Sequence, residues 1–369
     1  MSSYPFDPRY LTHNSASLNR IRVMELPGAP PEVLGKTGYD LLSSRYLGEQ
    51  IQAHAAALNL TSHLLETQEN AWPLLLNTCL TSDQASVQAA AHAIMQQFGR
   101  HLGYLLRTLR RGDPANRAAR PEWDEAAWNY WRAVQHVTLG GGLTIGAVGE
   151  HLLDDARSVF REAGEMPPQL HRSPYSNYLP LVGAARYTPP GSSAALVLDF
   201  GGSLIKRALA VYAANRLVGL YTLPSIPTQY VDSAEILAFF NFMTTTIANT
   251  WTELTEAGHK LSHTIPVSAA TYVDRDGQPD EGPEGMYASL RQLIGNIPAV
   301  LSETISQSIA QPVKVRLLHD GTAAASGHDR GDWAATVMLG TALGVGYQPS
   351  ADRLLPVKEP VKLSEFGKG

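Results

Sequence analysis

Hydrophobic positions recur in two rhythms along the chain, and the change comes near residue 134. Between 39 and 111, Leu42, Tyr46, Ile51, Leu58 and Leu65 return near helical spacing, with alanine frequent among them. The stretch 86–111 predicts one long helix, with Ala89, Ala90, Ala93 and Gly99 set among larger apolar residues. Gly112-Asp113-Pro114 is its stop. A polar loop over 113–123 and a short helix over 125–132 follow. Beyond them, short apolar runs alternate with turns and helices. The runs 136–139, 194–199, 205–213, 217–223, 264–273 and 313–319 predict strands. Helices are expected over 149–163, 179–187, 232–257 and 286–310, and an alanine-rich one over 321–327. Pro189-Pro190-Gly191-Ser192-Ser193 marks a linker or tight loop. Residues 1–40 carry Pro5, Pro8, Pro27, Pro30 and Pro31 and are expected to form an extended arm on the surface.

The pattern repeats once. Strands at 194–199, 205–213 and 217–223 form a meander with turns at Gly201-Gly202 and Ala214-Asn215. The end of the chain offers a second meander over 334–339, 344–348 and 353–357. Both begin with two alanines, run through a buried strand and turn at glycine. This is a weak internal repeat, and it suggests two similar lobes.

Composition narrows the classes. Hydrophobic residues make up 44% of the 369 and charged residues 17%, as in ordinary folded proteins. A formal net charge of -5 argues against a nucleic-acid binder. The single cysteine, Cys79, excludes an internal disulfide and a cysteine-based zinc site, and it is compatible with a reducing cytoplasm. The first residues lack a signal-peptide pattern, and no apolar run is long enough to span a bilayer. His259 and His263 stand four apart, but Gly258 and the strand after them break the helix a metal pair needs. The chain contains no P-loop, no H-E-x-x-H and no G-x-S-x-G.

Four glycine-rich segments carry candidate chemistry. In Leu196-Val197-Leu198-Asp199-Phe200-Gly201-Gly202-Ser203, an apolar strand delivers an acid to a turn whose backbone N–H groups can face phosphate oxygens. Asp199 is then a candidate Mg2+ ligand, and Lys206 a source of positive charge. In Leu318-His319-Asp320-Gly321-Thr322, a strand ends on an acid at a helix N-terminus, where Asp320 can take a proton from an attacking hydroxyl or serve only as a cap. Gly340-Thr341 closes a strand with N–H groups and a hydroxyl for a second phosphate. Gly140-Gly141-Gly142 leaves bare backbone on which a flat adenine ring can lie.

Together these segments resemble the actin, hexokinase and Hsp70 superfamily, and most closely its ROK-type and hexokinase-like sugar kinases. Asp199-Phe200-Gly201-Gly202-Ser203 is similar to the first phosphate loop, with Ser203 for threonine. His319-Asp320-Gly321 resembles the base segment, with His319 for asparagine. Gly340-Thr341-Ala342-Leu343-Gly344-Val345-Gly346 resembles the second phosphate loop, with Ala342 for a glycine. Gly140-Gly141-Gly142 is similar to the adenosine segment, and Val182-Gly183-Ala184-Ala185-Arg186-Tyr187 to the helix that ends such kinases.

The resemblance implies an α/β, two-lobed RNase-H-like fold of the actin/hexokinase type, with a cleft between the lobes. The order differs from the family's by a cyclic shift, because the adenosine segment and final helix precede both phosphate loops. A circular permutation accounts for it. The lobes would then divide as an arm over 1–40, a helical and adenosine-binding part over 41–190, a lobe with phosphate loop and base over 191–330, and a closing hairpin over 331–369. The implied activity is ATP- and Mg2+-dependent phosphorylation of a small hydroxylated substrate, most simply a sugar. Asp320 would be the base; His319, Gly321 and Glu365 would face the substrate. In the tail Glu365-Phe366-Gly367-Lys368, lysine replaces the histidine of the family's sugar motif, and the zinc cysteines that follow it in many members are absent. A non-catalytic sugar or nucleotide sensor is the alternative. A cytoplasmic location is expected, without nucleic-acid or membrane partners and with room for a homodimer.

Overall fold

The computed structural model describes residues 17–67, 71–229, 236–274, 277–279, 287, 290–293, 295–347 and 354–367. Among them the strands are β1 (His136–Gly140), β2 (Gln169–Arg172), β3 (Ala194–Phe200), β4 (Leu204–Ala213), β5 (Arg216–Pro227), β6 (Thr264–Ala269), β7 (Lys314–His319), β8 (Ala334–Leu339), β9 (Leu343–Tyr347) and β10 (Val357–Glu365). The helices that matter below are α1 (Ala85–Arg111), α2 (Gly146–Glu162), α3 (Leu179–Ala185), α4 (Ile236–Glu256), α5 (Ile297–Ile309) and α6 (Asp320–Ala325). The protein is mixed α/β with two sheets, and the chain divides into two units.

The first unit takes Ser17–Asn177 and Asp332–Val345. Its sheet has the order β2-β1-β8-β9, with β1 parallel to both β2 and β8. Helix α1 ends at Gly112, whose left-handed φ of 54° stops it where the sequence indicates. Residues 17–40 differ from expectation. Leu18, Val23 and Val33 are fully buried, so the described part of the segment is anchored in the core and is not an arm lying on the surface. Its prolines bend the chain: Val33 N–H donates to the Pro30 carbonyl, and Arg22 bridges to Thr37. The polar loop expected over 113–123 also differs, since Pro114–Ala118 is helical and Asn116 is buried. Asn116 Oδ1 accepts from Met24 and Glu25 N–H at 2.8 and 3.0 Å, and its Nδ2 donates to the Glu25 carbonyl at 2.7 Å. A polar residue is buried there because it completes the backbone hydrogen bonds of the entering segment.

The second unit takes Tyr178–Gly331 and Gly346–Gly369. Its sheet has the order β10-β5-β4-β3-β6-β7. The meander β3-β4-β5 is antiparallel throughout, and β6 and β7 add to it parallel to β3. Alternation assigns the faces: Leu196, Leu198 and Phe200 turn into one apolar core with Phe239, Met243 and Ile247 of α4 and Leu301 and Ile305 of α5. Asp199 belongs to the opposite face, on which α3 lies against β3, β4 and β6. The third strand of the second meander is another correction. The strand is β10, later than 353–357, and it joins this sheet parallel to β5. Residues 346–369, grouped by sequence with the closing hairpin, thus belong to the second unit. The free edge of β5 supplies the unpaired backbone groups that draw the tail there. No helix among the described residues is long and apolar enough to cross a membrane.

Candidate active site

The carboxyl ends of β3, β6 and β7 lie side by side, and three strands deliver their last polar residues to one place. Asp199 pairs in register with Lys206 on β4 and with Ser268 on β6. Cross-strand neighbours on one face stand about 5 Å apart, so their side chains meet. Lys206 Nζ donates to Asp199 Oδ2 at 2.7 Å, and Ser268 Oγ donates to Oδ1 at 2.7 Å. Asp199 is only 2% exposed.

Asp320 follows the end of β7 and opens α6. Its Oδ1 accepts the Gly321 N–H at 2.6 Å and lies 3.2 Å from Nε2 of His319. The side chain keeps 26% of its surface open. Burial first, and then the nearby Asp199 charge, pushes the carboxyl up to about 7, while the Gly321 N–H and Lys206 pull the other way. His319 is buried and stacks on Tyr272, with ring centroids 4.4 Å apart. Burial lowers its pKa to about 3, so the ring is neutral at any working pH.

The first phosphate-loop candidate is a tight hairpin. Gly201 N–H donates to the Leu204 carbonyl at 3.1 Å, which leaves Gly202 and Ser203 exposed at the tip. The Gly201 carbonyl accepts from Thr228 Oγ1 at 2.9 Å and from Tyr287 OH at 3.0 Å. The Tyr287 hydroxyl is held above its ordinary pKa by burial, then by the charges of Asp199 and Asp320. The N–H expected to face a phosphate at Gly201 is therefore turned into the hairpin.

In the first unit, Gly140-Gly141 and Leu339-Gly340 come together, because Gly140 pairs with Met338 across β1 and β8. Gly141 has φ +95°, and a Cβ there would stand 2.2 Å from the Leu339 carbonyl oxygen. Gly142 is exposed with open space about it. The Gly340 carbonyl accepts the Ser44 N–H at 2.8 Å, and Thr341 is exposed at the hairpin tip. Glu365 is exposed on β10 at the level of Thr222, three strands from β3, or about 14 Å at ordinary strand spacing. The structure thus brings Asp199, Lys206, His319 and Asp320 together and leaves Glu365 outside the group; Lys368 lies outside the described residues.

Asp199 does not fit the role of a direct Mg2+ ligand in this arrangement. Both its oxygens accept from protein donors, and an ammonium already stands 2.7 Å away. Among the described residues no cluster of three or more His, Cys, Asp or Glu side chains can hold a metal. Ser268, Tyr272, Thr228 and Tyr287 escaped the sequence reading. Only Ser268 left a signal, as the one hydroxyl facing inward in the apolar run of β6.

No protein-family model matches the chain. No curated protein matches it. Among solved structures it is similar to the ethanolamine utilization protein EutJ from Carboxydothermus hydrogenoformans, at 16% identity and a TM-score of 0.28. That likeness covers 53% of this chain and 64% of the other, less than two thirds of its length.

Proposed function

We propose that the protein is an ATP-dependent phosphotransferase of the sugar-kinase type, acting on a hydroxyl of a small sugar-like molecule. The observation that carries this reading is Asp320: a carboxylate at the end of a buried parallel strand, partly open, near Lys206, and titrating at about 7. A base with a pKa near working pH is efficient at taking a hydroxyl proton. Ligands of open α/β sheets bind outside the carboxyl ends of the strands, where this group lies. The nucleotide would be used as its Mg2+ complex, which spreads charge over the phosphates when bound. The chain's own part is to place Lys206 and the exposed tip of the Phe200–Leu204 hairpin toward the phosphates, and Asp320 toward the acceptor.

The same reading takes both units as RNase-H-like lobes and the chain as permuted. In support, β4-β3-β6-β7 and β9-β8-β1-β2 have one order, a hairpin beside two further strands. In the first unit those two strands come from the front of the chain and the hairpin from its end. The first unit would then correspond to the family's adenosine-binding lobe and the second to its acceptor lobe.

One observation favours a second reading, a sugar or nucleotide sensor without turnover: both Asp199 oxygens and the Gly201 N–H are occupied by protein partners. ADP release across a panel of sugars separates the two. Asp320→Asn is expected to lower kcat by about a thousandfold while nucleotide affinity stays within a factor of about three. Undiminished turnover in that variant overturns the mechanism, and nucleotide binding without turnover in the parent supports the sensor. Because the base works only when ionised, kcat/KM is expected to rise with pH through about 7. A profile flat from about pH 5 to 9 removes Asp320 as the base.

A further inference from the structure

A cleft of about 330 Å3 opens in the first unit, lined by α1 and by the short helices Gly38–Leu42 and Ser44–Ala53. Its size is at the lower end of the range that small-molecule sites occupy, about 300–1,000 Å3. A second hollow, of about 210 Å3, shares Glu32, Gln97 and His101 with it. Gln97 and His101 stand four apart on α1 and so share one face of the helix. His101 is only 4% exposed. Its Nδ1 lies 3.2 Å from the Leu41 carbonyl oxygen, which can only accept, so Nδ1 carries the ring proton and Nε2 the lone pair. Burial holds the ring below its ordinary pKa, against the Leu41 bond and the Glu32 charge, and the ring is neutral at neutral pH. Nε2 has no partner among the described residues. Tyr46, with its ring centroid 5.0 Å away, has a hydroxyl that is closed to solvent and also without a partner among them. Polar groups in buried places are normally satisfied, so two unpartnered ones side by side in one wall point to a ligand.

We propose that this cleft binds a small neutral polyhydroxylated molecule, a sugar or a polyol, with one hydroxyl donating to His101 Nε2 and others meeting the amides of Gln50 and Gln97. The acceptor at Nε2 asks the ligand for a proton. The two amides both donate and accept, and their side chains have no partner among the described residues. A hydroxyl answers both demands, since it donates one bond and accepts others. Charge argues for a neutral ligand. An ionised phosphate or carboxylate has no proton to offer Nε2, and it would meet Glu32, Asp40 and Glu49 against only Lys36 and Arg45. A cation finds two of those acids already engaged. Glu49 Oε1 accepts from Arg45 Nε at 2.8 Å, and Asp40 Oδ2 accepts from the Thr37 N–H and hydroxyl at 2.9 and 2.7 Å. The proposal is independent of the phosphotransfer reading: all these groups belong to the first unit, and Asp199, Lys206 and Asp320 to the second.

Nitrogen NMR of the full chain tests this at His101 itself. Without ligand, the ring is expected as the Nδ1–H tautomer, and an Nε2–H tautomer overturns the proposal. The chain is then titrated with glucose, mannose and galactose, with the acyclic sorbitol and glycerol, and with methylammonium chloride. A hydroxyl donating to Nε2 is expected to move its resonance toward the protonated position, and the shift should saturate. Saturation with the cyclic probes identifies a sugar site, and saturation with the acyclic ones alone a polyol site. A shift that grows without saturating for every sugar and polyol overturns the proposal, as does a response to methylammonium alone. Gln97→Ala, on the exposed side of α1, is expected to raise the half-saturating concentration by about three- to tenfold, the loss of one hydrogen bond. Unchanged half-saturation in both Gln97→Ala and Gln50→Ala overturns the assignment of the amides. The readout is His101 and needs no turnover. A chain that phosphorylates no sugar still gives an answer here, and an active kinase whose His101 ignores every probe loses this site alone.

Discussion

In the second unit the hairpin Phe200–Leu204 stands beside β6 and β7; in the first, Leu339–Leu343 stands beside β1 and β2. The backbone layout is the same, and the side chains are not. Strand β3 carries buried Asp199 one residue before its end, with Lys206 and Ser268 in register on either side. Strand β8 ends on buried Leu339, pressed by Gly141, and β8 and β9 carry no charged residue. One hairpin is built around an ion pair and the other around backbone contact. The difference shows that a strand order can be kept while the polar load shifts to one sheet. A site can therefore be located by its register partners even where the glycine motifs look alike.

The sharpest way to break this contrast is at Lys206. Removing one member of a buried ion pair leaves the other charge uncompensated, at a cost of about 3–5 kcal/mol. Lys206→Met is expected to lower unfolding stability by about that much in a urea titration, and the double variant with Asp199→Asn to recover most of it. Equal stability of the single variant and the parent would mean the pair is not what organises the hairpin. In the first unit the corresponding blow falls on backbone. Gly141→Ala is expected to cost about 3 kcal/mol, because its Cβ meets the Leu339 carbonyl and its φ is left-handed. Gly142→Ala, with open space around it, is expected to stay within about 0.5 kcal/mol. Matching losses at the two glycines would erase the distinction.

The smallest expected loss concerns the edge of the first sheet. Asn19 Nδ2 donates to the Leu343 carbonyl at 2.9 Å, and its Oδ1 accepts the Leu343 N–H at 2.8 Å. One amide side chain thus pairs with β9 as a further strand residue would. Asn19→Ala is expected to cost about 1–2 kcal/mol, read by thermal unfolding, with Asn19→Gln failing to restore the fit.

Much of this was legible from periodicity. The strands 194–199 and 205–213, the long helix over 86–111 and its stop at Gly112 all lie within about two residues of their observed ends. Asp199 was visible because it interrupts the apolar run of β3, and Asp320 because it stands just after β7, before a glycine and an alanine-rich helix. What escaped has physical causes. Strand β2, Gln169–Arg172, has four residues and no clear alternation, and it is a strand through its pairing with β1. Residues 17–40 look like an arm because their prolines hide Leu18, Val23 and Val33, whose burial depends on Asn116 far along the chain. The place of β10 depends on which sheet offers an open edge, and no local pattern encodes that. In the site, Lys206 could be proposed from charge alone, but its bond to Asp199 follows from register, which only the folded sheet supplies.

The placement of β8 has a consequence for how the protein is made. Strands β3 to β7 emerge from the ribosome in one uninterrupted stretch, so their sheet can close as synthesis proceeds. Strands β1 and β2 emerge earlier, yet β1 must wait for its second neighbour until Ala334. That is roughly 160 residues after Arg172, or some 10–30 s at ordinary elongation rates. For that interval one edge of β1 is an open template in the nascent chain, with Val137 and Leu139 still lacking their final cover. Synthesis at reduced elongation rate should lengthen the exposure, and nascent chains arrested before residue 334 are where a chaperone would be found bound.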